Sequence, residues 1–69
     1  MQNYLNEPSG VQSERMLDEM RLINRAKRIL MLYLNMSEPS AHRYIEKRAR
    51  DMRVTKTEIA KNILKTYEP

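Results

Sequence analysis

Arg43, Lys47 and Arg50 recur at intervals of four and three residues in the stretch SEPSAHRYIEKRARDMR, Ser37 to Arg53. On a helix of about 3.6 residues per turn, that spacing gathers the three side chains within roughly 60° of one another. The chemistry open to such a row is the recognition of anions. Guanidinium groups fork onto phosphate oxygens or lie flat on exposed bases, and an ammonium acts as a compact point charge. No acid shares the narrow stripe, and Arg53 and Lys56 carry positive charge into the following turn. Two more cations break the apolar pattern: Lys27 falls inside the apolar arc of the first helix, and Arg48 points to the packed side of the second. Long side chains snorkel from such places, yet a charge set against the pattern is also a candidate for a specific task.

Nothing in the chain assembles a catalytic site. His42 is the single histidine, and the chain has no cysteine, so a metal cluster is not expected. His42 lacks a neighbouring nucleophile and sits on the flank of the packed face, which suits a packed or rim histidine better than a general base. The carboxylates Glu38, Glu46, Asp51 and Glu58 are scattered among cations, and helix capping and surface pairing account for them. No glycine-rich loop is present to cradle a phosphate. The expectation is a non-enzymatic protein without cofactor, metal or small-molecule substrate.

The elements that hold these residues are legible from periodicity. Ser37 is expected to cap the second helix, with Glu38 and Pro39 in its first turn, where backbone donors lack helical partners. Ala41, Tyr44, Ile45, Ala49 and Met52 form its packed face. Thr55 should cap a third helix, with Glu58 completing a T-x-x-E capping box. Ile59, Ala60, Ile63, Leu64 and Tyr67 make that helix's apolar side, with Lys61 and Lys65 opposite. Upstream, a helix is expected from about Val11 to Asn35, with Ser9 or Ser13 as its cap. Met16, Met20, Ile23, Leu30 and Leu34 follow alternating spacings of four and three, the seam of a coiled coil, with Lys27 at one seam position. Leu22, Ala26, Ile29 and Tyr33 add a second apolar row, so the later half of this helix needs a wide buried face. Met16, Met20 and Ile23 are the candidate dimerisation residues, an intramolecular core stripe being the rival account.

Size and composition agree with an all-α fold. A chain of 69 residues with one glycine and three prolines is a single small domain with a thin core. Its net charge of +4 and pI near 9.7 favour an anionic partner such as nucleic acid. No apolar run is long enough to cross a bilayer, and the first residues lack a signal-peptide pattern, so a cytoplasmic protein is expected. Residues 1–10 read as a flexible leader, 11–22 as the coiled-coil part of helix one, and 23–69 as a three-helix domain. Most cations have an ordinary explanation, because amphipathic helices have polar outer faces. That explanation is preferred for the Arg21, Arg25, Arg28 row and for Lys61 and Lys65. For the helix-two row, binding is favoured over solvation.

Ala26-Lys27-x-Ile29-Leu30-Met31, Ser37-Glu38-x-x-Ala41-x-Arg43, Ile45-x-Lys47-Arg48-Ala49 and Glu58-Ile59-Ala60 together resemble the ANTAR domain. That is the RNA-binding output domain of AmiR and NasR type transcription antitermination regulators. The match runs from about Ile23 to Tyr67, in order and in spacing. The resemblance implies a bacterial, dimeric three-helix bundle behind a coiled coil. It implies as partner a pair of neighbouring RNA hairpins with short loops, whose capture prevents a terminator from forming. Lys27, Arg43, Lys47 and Arg48 match the family's basic positions; Arg50, Arg53 and Lys56 join the site from the charge stripe alone. The chain departs from many relatives in carrying Arg28 and Asn35 where they have glycine, His42 where an aromatic is usual, and Arg50 for a common methionine. Relatives usually carry a receiver or sensor domain ahead of the seam, so the sequence reads as a stand-alone module or a piece of a larger regulator. Two alternatives stand beside this reading: a small helical DNA-binding regulator, and an interaction module whose seam pairs with a partner helix.

Overall fold

The computed structural model describes residues 8–68, with side chains from residue 14 onward. It is an all-α three-helix bundle: α1 spans Pro8–Tyr33, α2 Glu38–Met52 and α3 Lys56–Tyr67. The expected leader falls outside the described residues up to position 7. Positions 8–10 belong to α1, which begins three residues before the expected Val11. Pro8 explains the early start: proline is well placed at a first helical position, where its missing N–H would find no partner anyway. Ser9 and Ser13 therefore lie within the helix and not ahead of it. At the other end α1 stops at Tyr33, and Asn35 takes a left-handed φ of 55°. Asparagine is among the few residues that visit this region readily, which suits Asn35 to this turn.

The other two helix starts follow the sequence. Ser37 Oγ accepts from the Ser40 N–H at 3.2 Å, and Thr55 Oγ1 accepts from the Glu58 N–H at 3.1 Å. Only half of the expected capping box forms. Among the described residues, the Glu58 carboxylate takes no return bond from the Thr55 N–H, so its remaining contribution is a negative charge in the first turn of α3.

The helices close over Ala26, Ile29, Leu30, Ala41, Ile45, Ala49, Ile59, Ala60 and Ile63. Ala26, Ala41 and Ala60 are fully enclosed, one from each helix, and Leu30 and Ile45 are the large side chains most completely buried. Alanine at these positions lets the backbones approach, while leucine and isoleucine fill the space between. Two residues assigned to packed faces stay in solvent: Tyr33 is 60% exposed and Met52 50%. Each sits at the last turn of its helix, where the neighbouring helices cover it only in part. Tyr33 still rests against Tyr67, ring centroids 5.2 Å apart. Among the described residues, no helix is long and apolar enough to cross a membrane.

The turn from α2 to α3 is tight. Arg53, one residue past α2, has φ 58° and ψ 43°. Its N–H reaches the Arg50 carbonyl at 3.3 Å, and the Val54 N–H reaches the Ala49 carbonyl at 3.0 Å. This is the paired-bond helix stop that glycine usually supplies. An arginine there holds a left-handed conformation that costs an L-residue about 1–2 kcal/mol. Arg53→Gly should leave the fold intact and raise its stability by about 0.5–1 kcal/mol, the relief of strain being partly offset by glycine's greater unfolded-state entropy. Arg53→Val, β-branched at a positive φ, should lower it by more than about 1 kcal/mol. Urea unfolding followed by circular dichroism checks both; equal stability for the three proteins would mean that the turn carries no strain.

Candidate nucleic-acid interface

Packing of Ala41, Ile45 and Ala49 against the other helices fixes the rotation of α2 and turns the opposite side outward. Arg43, Lys47 and Arg50 are all exposed, and none is within ion-pair distance of a carboxylate among the described residues. Together with Tyr44 and Glu46 they border one shallow hollow. The acid in that hollow is turned aside: Glu46 Oε2 lies 3.2 Å from His42 Nε2 and 3.9 Å from Lys56 Nζ. Glu46 thus engages His42 and Lys56 at one edge of the stripe and leaves its centre positive. His42 is a partly exposed rim residue, the second of the two places that the pattern left open to it.

The remaining expected site residues divide by what they touch. Lys27 does not stand in open solvent. Its side chain is 16% exposed, and its Nζ approaches Glu38 Oε2 at 3.7 Å. A cation inside the apolar arc of α1 is met there by the acid that opens α2, which ties the two helices together. Lys27 also borders a hollow with Pro39, His42 and Arg43, so it adjoins the α2 stripe at its N-terminal end. Arg48 lies along α2 on the side facing α3. Its guanidinium carbon is 5.7 Å from the centroid of the Tyr44 ring, within cation–π reach. Its Nη2 approaches Met52 Sδ at 3.8 Å. Arg53 is exposed in the turn, and Lys56 is partly neutralised by Glu46.

One cation set aside as ordinary surface belongs with this group. Arg28 borders a hollow with Asn24, Lys27, Met31 and Glu38, next to the one that Lys27 shares with Arg43. Its companions in the same sequence row are occupied elsewhere: Arg21 pairs with Asp18 at 3.4 Å, and Arg25 with Glu68 at 2.6 Å. The row Arg21, Arg25, Arg28 therefore splits, and only its last member meets the α2 surface. Sequence periodicity could not separate them, because the partner of Arg25 comes from the far end of the chain.

The three hollows share residues in succession, Lys27 and Glu38 between the first two and Arg43 between the last two. They form a largely basic track from Arg28 on α1, past the Lys27–Glu38 pair at the start of α2, to Arg50 near its end. Such a track can neutralise a run of phosphates, each contact releasing condensed counterions. Among the described residues no cluster of histidine and carboxylate side chains is arranged to hold a metal. On α1, Met16 and Met20 are 60% and 54% exposed, and Leu17 beside them is exposed too. Ile23, the third expected seam residue, is instead half-buried against the domain's own core.

No curated protein and no solved structure matches the chain significantly. The family model of the ANTAR domain matches residues 12–64, which includes the outer half of α1, the whole basic track and most of α3. The chain belongs to the ANTAR family of RNA-binding transcription antitermination domains.

Proposed function

We propose that this protein is a homodimeric antiterminator that binds two neighbouring short-loop hairpins in nascent RNA, so that the competing terminator cannot form. The observation that carries the reading is the row Arg43, Lys47 and Arg50 on a helix face turned to solvent, without carboxylate partners among the described residues. A surface ion pair would have cost little to build and would have silenced that charge. RNA loops present phosphates and unstacked bases on a convex surface that a straight helix can meet, whereas the deep groove of an A-form stem is closed to side chains.

The dimer is supported by the outer half of α1. The molecule is 46 Å in its longest dimension and 22 Å in its shortest, so this segment stands clear of the bundle with Met16, Leu17 and Met20 uncovered. Pairing of two such segments would bury this row and place two basic tracks in one assembly. Two loops joined in one RNA then bind with the advantage of effective concentration.

Replacing Arg43, Lys47 and Arg50 together by Ala should leave helicity unchanged and weaken binding to a tandem-hairpin RNA by at least about a hundredfold at moderate salt. The slope of log affinity against log salt should fall by about two, at roughly 0.7 per lost phosphate contact. Fluorescence anisotropy across a salt series, with duplex DNA of equal length as comparator, measures both. Equal binding to RNA and DNA would favour a generic basic surface, and unchanged binding by the triple variant would remove the site. Met16→Glu with Met20→Glu should yield a folded monomer that binds one hairpin as before and loses the tandem advantage, about 10²-fold or more. Sedimentation of the unaltered protein as a monomer well above micromolar concentration would contradict the dimer.

A further inference from the structure

A further concavity lies around the flank of α2 from the basic track, between α2 and α3. It has a volume of about 170 Å³. Tyr44, Arg48 and Met52 border it on one side, Asn62, Thr66 and Tyr67 on the other, above Ile59 and Ile63. We propose that this groove receives a single unstacked RNA base, read by the Asn62 carboxamide and held against Tyr44 and Arg48. The inference rests on the RNA-binding reading and adds to it the element that distinguishes one base from another.

Four features of the groove support this. First, it is of the right size: a cavity of about 150 Å³ accepts a benzene ring, and an open groove lets the polar edge of a larger base project. Second, its walls combine aromatic rings and a guanidinium plane, the surfaces on which unpaired bases stack. Third, its polar groups are available. The Asn62 side chain makes no hydrogen bond among the described residues and offers both donors and acceptors. The Thr66 hydroxyl donates to the Asn62 backbone carbonyl at 2.8 Å and retains lone pairs to accept with. Arg48 has no carboxylate partner among the described residues and can meet the phosphate next to the base.

The fourth feature is continuity. Tyr44 borders both this groove and the hollow formed with Arg43, Lys47 and Arg50. A strand whose phosphates follow the cation row passes Tyr44, and a base turned inward there enters the groove. The two surfaces divide the labour in the usual way, since phosphate contacts position a nucleic acid and base contacts specify it. The charged row alone would bind many hairpins equally.

The test uses Asn62→Ala, at an exposed helical position where alanine favours the fold, and a tandem-hairpin RNA carrying 2-aminopurine at each loop position in turn. With the unaltered protein at saturation, one loop position should change fluorescence most strongly. Asn62→Ala should lose that change, bind about tenfold more weakly, and discriminate less among bases at that position. Its salt slope should stay the same, because no phosphate contact is lost. An abasic loop at that position should bind both proteins equally. The groove is excluded if Asn62→Ala matches the unaltered protein in affinity, base preference and fluorescence at every loop position. If that happens while Arg43→Ala, Lys47→Ala and Arg50→Ala together still weaken binding about a hundredfold, only the groove assignment falls. If the unaltered protein binds no hairpin, the RNA reading and the groove fall together.

Discussion

The structure depends on the close approach of three helices over small residues. Ala26, Ala41 and Ala60 are wholly enclosed, and Leu30 and Ile45 fill the space that their small side chains leave. In so thin a core each of these contacts bears on the whole domain. A larger residue at any of the alanines would push a helix outward, and overpacking of this kind typically costs about 1–3 kcal/mol. The same contacts set the rotation of α2, and so decide which of its side chains face solvent. The binding surface is a consequence of the core rather than an addition to it.

Charge is distributed in keeping with that arrangement. Cations that serve the fold have acids beside them: Lys27 joins α1 to the start of α2 through Glu38, and Arg25 joins α1 to the end of α3 through Glu68. Single surface pairs contribute about 0–1 kcal/mol, so their main effect is to orient side chains and withdraw charge from use. Cations on the outward face of α2 have no such partners among the described residues, and their mutual repulsion is a standing cost that an anionic ligand relieves. Glu46 keeps the two groups apart by engaging His42 and Lys56 at the edge of the row. Arg53 belongs to the second group in another way, because its backbone conformation is one that glycine would occupy with less strain.

α1 serves two roles along its length. Leu22, Ile23, Ala26, Ile29 and Leu30 turn into the bundle, while Met16, Leu17 and Met20 are left exposed. A continuous helix couples the two halves rigidly. Its rise of about 1.5 Å per residue fixes how far the exposed row lies from the basic track, and hence the spacing that any pairing of the outer halves would impose on two RNA loops. Ile23 marks the junction, half-buried against its own core and adjacent to the exposed row.

The sequence by itself determined whatever depends on one helix at a time. Ser37 and Thr55 cap where their side chains reach the nearest free N–H groups, the 3.6-residue period puts Ile45 inward and Arg43, Lys47 and Arg50 outward, and composition excludes cysteine chemistry. These are local properties, settled within a few residues of chain. What only the tertiary structure decided was where one helix covers another. Tyr33 and Met52 lie on apolar faces yet remain largely in solvent, because α3 covers the last turns of α1 and α2 only in part. Arg25 and Arg28 look equivalent in the sequence, and Glu68, 43 residues away, makes them different. Asn62 and Thr66 had no visible role on α3 until α2 brought Tyr44 and Arg48 across from them. Periodicity fixes a side chain's angle about its own axis, and a groove between two axes exists only once both are packed.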